Sequence, residues 1–83
     1  MDSKHWMEFH LKEATKELVN AEKAMIEARK CGDKITDKVW TLEHASQTGR
    51  ITMLFDLSLH ISAKFHSQLV DLYSTTLHEQ RQK

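Results

Sequence analysis

Proline is absent from this chain, and glycine occurs only at Gly32 and Gly49. Residues that interrupt helices are therefore almost missing. An all-α fold is expected, punctuated at those two positions. The single cysteine, Cys31, excludes an internal disulfide. No apolar run approaches the ~20 residues of a membrane span; near the middle the longest is Met53-Leu54-Phe55. After the charged start, residues 1–5 lead into no apolar stretch. No signal peptide is expected, and the cytoplasm is the default compartment. An excess of one charge is missing too, since 12 Lys and Arg balance 12 Asp and Glu. The balance holds locally, with six of each sign in residues 1–32 and six of each in 33–83. Nucleic-acid binding normally needs a basic excess, which these totals do not supply. Zero net charge also leaves little repulsion between copies.

A chain of 83 residues amounts to one domain and buries only about 60–65% of its unfolded surface. Domains of this size are usually supplemented by disulfides, a metal or a partner chain. With the disulfide excluded, a metal or a partner remains. Six histidines add positive charge below about pH 6 and are expected to make association pH-sensitive.

The first helix is predicted over residues 3–30. Asp2 or Ser3 can cap its start, and Arg29 and Lys30 suit the negative end of its dipole. Residues 31–33 then form a turn. Gly32 can take the left-handed stop, and Asp33 can cap the next helix. Met7, Leu11, Ala14, Leu18, Ala21, Met25 and Ala28 recur at alternating spacings of four and three. This is a heptad seam of large residues and alanines, and it suits close helix packing. It reads as a core stripe and implies no cofactor. Val19 and Ile26 lie one heptad apart beside it and form a weaker strip for a third helix or a partner.

Beyond the turn the pattern stays helical to about residue 80. Ile35, Val39, Leu42, Ser46 and Met53 share one face of an unbroken helix. Leu54, Ile61, Phe65 and Leu72 share another, rotated by about 100°. The apolar phase slips across residues 46–53. Thr48 can cap a new helix, and Gly49 is the weakest helix former available. The segment is therefore predicted as helices 34–47 and 51–80 with a kink at 48–50. The alternative is one long helix that buries two faces. The overall expectation is an antiparallel helical hairpin, or three helices, that completes a bundle by oligomerisation or partner binding.

Residues 51–80 hold only four charged residues (Asp56, Lys64, Asp71, Glu79). Their apolar residues cover more than one stripe, which implies cover on more than one side. In the unbroken case about 17 residues, near 25 Å, overhang the first helix. In the broken case the middle helix is too short to cover its neighbours. Both leave apolar surface open. The predicted partner interface is Leu57, Leu59, Ile61, Phe65, Leu69, Val70, Leu72, Tyr73 and Leu77.

Chemistry-bearing motifs are sparse. His5 and His10 are five apart and His60 and His66 six apart, whereas ligand pairs on one helix face prefer three or four. A His5, Asp56, His60 cluster is conceivable across the hairpin, and a solvated polar patch is the plainer reading. Cys31 lies between Lys30 and Lys34, a setting that can favour a reactive thiol, but an ordinary thiol is the plainer reading. Trp6 and Trp40 lie off the seams, where they are either interface anchors or core edges. Glu8/Lys12 and Lys23/Glu27 are spaced for surface ion pairs. The two glycines are isolated and make no phosphate loop. No cofactor and no catalytic set are expected. The leading expectation is a non-catalytic protein-binding module (an adaptor, inhibitor or chaperone) that packs against itself, most simply as a homodimer, or against a helix of another protein. The alternatives are a homodimeric four-helix-bundle regulator that binds nucleic acid and a small metal-binding helical protein.

Overall fold

Asp2 lies extended, and its carboxylate accepts the His5 backbone N–H at 2.8 Å. That bond satisfies one of the free donors at a helix start. From there the chain runs as α1, Ser3–Lys30, in a computed structural model that describes residues 2–83. The helix stops where Gly32 takes φ 70°. The Asp33 N–H reaches the Ala28 carbonyl at 2.9 Å and the Gly32 N–H reaches Arg29 at 3.2 Å, so the stop is a Schellman motif. Asp33 then accepts the Thr36 N–H at 3.0 Å and its hydroxyl at 2.7 Å. Those two donors, the backbone one first, hold its carboxyl below the usual aspartate range. The predicted span of the first helix and the caps around the turn are all observed.

The next helix, α2, runs from Lys34 to Ile61 without interruption, so the break predicted at 48–50 does not occur. The Thr48 hydroxyl, expected to cap a new helix, donates back to the His44 carbonyl at 2.9 Å. Helical Gly49 costs about 1 kcal/mol relative to alanine. Ile51 and Leu54 are buried on the following turns, and each contributes more than that. Packing therefore carries the helix through.

The reversal falls at Ser62, which is extended (φ −172°, ψ 154°). Its N–H closes α2 on the Ser58 carbonyl at 3.1 Å, and its Oγ accepts the Phe65 N–H at 3.0 Å to cap α3, Ala63–Gln82. The predicted helices 34–47 and 51–80 are thus 34–61 and 63–82. Buried Ser58 fastens the corner by donating to the Phe55 carbonyl at 2.6 Å. His66 Nδ1 sits 2.9 Å from that hydroxyl and 3.1 Å from the same carbonyl.

The residues predicted to overhang instead fold back as α3 and pack on both other helices. Met7, Leu11, Ala14 and Leu18 of α1, Ile51 and Leu54 of α2, and Phe65 and Leu69 of α3 form one core. It lies toward the Ser62 corner. The seam predicted on α1 is buried except at Met25, which is half-buried. No helix among the described residues is long and apolar enough to cross a membrane.

The two candidate break points respond differently to alanine. Ser62→Ala should lower stability by about 1 kcal/mol through loss of the cap. Thr48→Ala, at an exposed helical site, should change it by less than about 0.5 kcal/mol. Urea denaturation of the two variants measures both; the opposite order would put the reversal at residue 48.

Candidate functional site

The helix α3 has 20 residues against 28 in α1 and in α2, so it falls short of the Gly32 end by about 12 Å. Its far end is fastened to α1. The Arg81 guanidinium donates to both Glu22 carboxylate oxygens, at 2.8 and 3.2 Å. Lys23 Nζ donates to the Gln80 and Lys83 carbonyls at 3.1 and 2.9 Å, and so neutralises the negative end of α3. The predicted Lys23/Glu27 pair is not formed, because Lys23 is taken by α3. Val19, before this clamp, is 1% exposed, whereas Ile26, one heptad beyond, is 54% exposed. The strip they form is covered as far as α3 extends and bare afterwards.

Toward the Gly32 end α2 is turned inside out. Polar residues face α1: Asp37 pairs with Arg29 at 3.0 Å, His44 lies 3.8 Å from Glu22, and Gln47 is buried. Arg50 continues this line. It donates to His10 Nδ1 at 2.8 Å and lies 3.6 Å from Glu17. The apolar residues point away. Ile35 is 80% exposed, Val39 57%, Leu42 65%, Met53 51% and Leu57 40%. These five fall on one face, since Ile35 and Met53, and likewise Val39 and Leu57, are 18 residues or about five turns apart. Between Leu42 and Met53 the face carries the small residues Ser46 and Gly49, both exposed. Lys38 and Asp56 flank it on one side and Glu43 and Arg50 on the other. Beside Val39 a shallow cavity of about 360 Å³ opens between α1 and α2, lined by Glu17, Asn20, Val39, Trp40 and Glu43.

This geometry corrects the predicted interface. Phe65 and Leu69, at 2% and 1% exposure, belong to the core of the chain itself. Leu72, Tyr73 and Leu77 pack against that core, and Val70 is half-buried. The reason is the reversal at Ser62, which lays residues 63–82 on α1. Of the predicted residues, Leu57, Leu59 and Ile61 are exposed, and Leu57 joins the α2 stripe. The sequence pattern grouped Ile35, Val39, Leu42 and Met53 on one face. Its phase slip was the sign that this face and the core face differ.

Among the described residues no set of three or more His, Cys, Asp or Glu is arranged to hold a metal, so His5, Asp56 and His60 are not gathered. Cys31 is exposed at the turn, with Glu27 Oε1 3.9 Å from its sulfur. Trp6 is 42% exposed and tilts over His10 at 4.3 Å between ring centroids. Trp40 is half-buried at the cavity. The Ser58 hydroxyl near His66 is fully buried and donates to a backbone carbonyl, which makes it a corner fastener without substrate access.

No protein-family model matches this chain, and neither a curated protein nor a solved structure does.

The Glu22 clamp gives the fold a defined acid response. The Arg81 hydrogen bonds, opposed by partial burial and helped by the Arg81 and His44 charges, hold the Glu22 carboxyl below the usual glutamate range. A depressed carboxyl stabilises the fold above its unfolded pKa and loses that contribution as pH falls through the folded value. Glu22→Gln should therefore be less stable than wild type near neutrality, by about 0.2–1 kcal/mol. The gap should close on acidification. Urea midpoints at pH 7 and pH 3 test this, and a gap that does not narrow at pH 3 counts against the clamp.

Proposed function

We propose that this chain is a non-catalytic interaction module that packs helix-on-helix against a protein through the outward face of α2. One observation carries the reading: five large apolar side chains, Ile35, Val39, Leu42, Met53 and Leu57, are exposed on one face of α2, in two groups joined by the small residues Ser46 and Gly49. Scattered apolar residues on a surface need no explanation, but an aligned row with charged flanks is the pattern of a helix-docking face. The stripe is opposed by polar residues on the inward side, so its own fold gains little from it. A helix from another chain would bury it as the fourth element of a bundle. The flanks mix Lys38 and Arg50 with Glu43 and Asp56, which is unlike the single-sign surface that phosphate backbones require. Adaptor, inhibitor and chaperone roles all use such a face, and a homodimer is its simplest occupancy.

The test separates the stripe from the core. Leu42→Asp should leave helicity unchanged and stability within about 0.5 kcal/mol, since the site is exposed. Phe65→Asp should destabilise the fold by about 4 kcal/mol or more. Proteins retained from the native cell by the immobilised chain, its own copies included, are identified by mass spectrometry and then titrated in purified form. At least one should bind wild type more than about 30-fold tighter than Leu42→Asp. Equal affinity for the two across all of them would remove the stripe as a binding face.

A further inference from the structure

We infer that the occupant of the α2 stripe is a second copy of this chain, with the two α2 helices antiparallel about a two-fold axis at Ser46. The inference rests on the reading of the stripe as an interaction face and names its partner. The spacing is symmetric about that residue. Ile35 lies eleven positions before Ser46 and Leu57 eleven after; Val39 lies seven before and Met53 seven after. Rotation about the axis therefore sets Ile35 on Leu57 of the second copy and Val39 on its Met53. A two-fold contact must be self-complementary in this way.

The centre of the stripe is small. Gly49 sits in mid-helix, where glycine weakens the helix, and a Cβ there would meet nothing within 4 Å in its own chain. Its own fold thus supplies no steric reason for glycine. Close approach of a second backbone beside Ser46 and Gly49 supplies one.

The flanks agree in charge. In an antiparallel two-fold pair each flank meets the same flank of the other copy. Lys38, eight residues before Ser46, faces Asp56, ten after it. Glu43, three before, faces Arg50, four after. Both pairings are of opposite sign, and symmetry repeats each; Arg50 and Glu43 already bond His10 and Gln47 within the chain, so the Lys38–Asp56 pairing carries the charge argument. Among the described residues Lys38 and Asp56 have no ion pair within the chain. A parallel pair would match Lys38 with Glu43 but leave Asp56 without an opposite charge, so the charge pattern favours the antiparallel arrangement. Met53 of the second copy, unbranched and adaptable, also arrives beside the cavity at Val39.

The experiment combines sedimentation equilibrium with disulfide trapping. Wild type should be a dimer, and Leu42→Asp should weaken it more than 100-fold. Asp56→Lys should weaken it about tenfold, and addition of Lys38→Asp in the same chain should restore it. With Cys31→Ser as background, a mixture of Val39→Cys and Met53→Cys chains should form a mixed disulfide on mild oxidation, while neither chain alone crosslinks. Val39→Cys crosslinking to itself would overturn the antiparallel arrangement. A wild-type monomer at about 100 μM would overturn the self-pairing. That monomer could still bind another protein through Leu42, which would sink this inference and leave the interaction reading standing. A dimer indifferent to Leu42→Asp would also overturn it.

Discussion

The reach of α3 decides what this molecule shows to its surroundings. One extended residue, Ser62, turns the chain through its capped corner and lays Phe65 and Leu69 against Leu11 and Leu54. The helix then runs until Arg81 and Lys23 pin its end beside Glu22. Everything on the Ser62 side of that clamp is a three-helix bundle with a shared core. Everything on the Gly32 side is a bare helical pair. Ile26 is open to solvent beyond the end of α3, whereas the same strip is closed at Val19.

The α2 stripe has a different origin. It is bare because the inward positions of the same helix hold Asp37, His44 and Gln47, which bond or pack toward α1 beside its alanines. Full burial of a Leu or Ile side chain contributes about 1.5–3 kcal/mol. A helix rotated to bury Ile35, Val39 and Leu42 would collect that gain but would set Asp37, His44 and Gln47 in water and carry Ile51 and Leu54 out of the core. The common phase of α2 is therefore set by Ile51 and Leu54. The apolar residues nearer the turn go wherever that phase puts them.

Local chemistry made the first half of the chain legible. Asp2, Gly32 and Asp33 act through bonds to neighbours within five residues, so their roles follow from sequence position. The reversal at Ser62 left no such mark. Ile51, Ser58, Phe65 and Leu72 recur every seven residues straight through it, so the apolar rhythm is that of an unbroken helix. An extended serine needs no special residue type either. Gly49 drew attention as the weakest point of α2, but neighbouring core contacts outweigh one glycine. The same return of the chain decides the interface: Phe65 and Leu69, apolar residues that an unreversed helix would leave open, are among the best-buried in the chain. Leu57, Leu59 and Ile61 stay exposed because they precede the corner. That an apolar face would be left over was legible from helix lengths and residue counts. Which face it would be depended on a three-dimensional return of the chain.

The lopsided core has a consequence for motion. Its large side chains gather near the corner, whereas toward the Gly32 end the buried apolar residues of α1 are the alanines Ala21 and Ala28, beside an Arg29–Asp37 pair and a glycine stop. Segments with few buried apolar contacts open locally at a small fraction of the global unfolding cost. Amide protons around Trp40 should thus exchange with solvent well before those around Leu54. The occupant proposed for α2 would bridge both zones, so its arrival would quiet the breathing of the weaker one and link occupancy to the cooperativity of the whole helix.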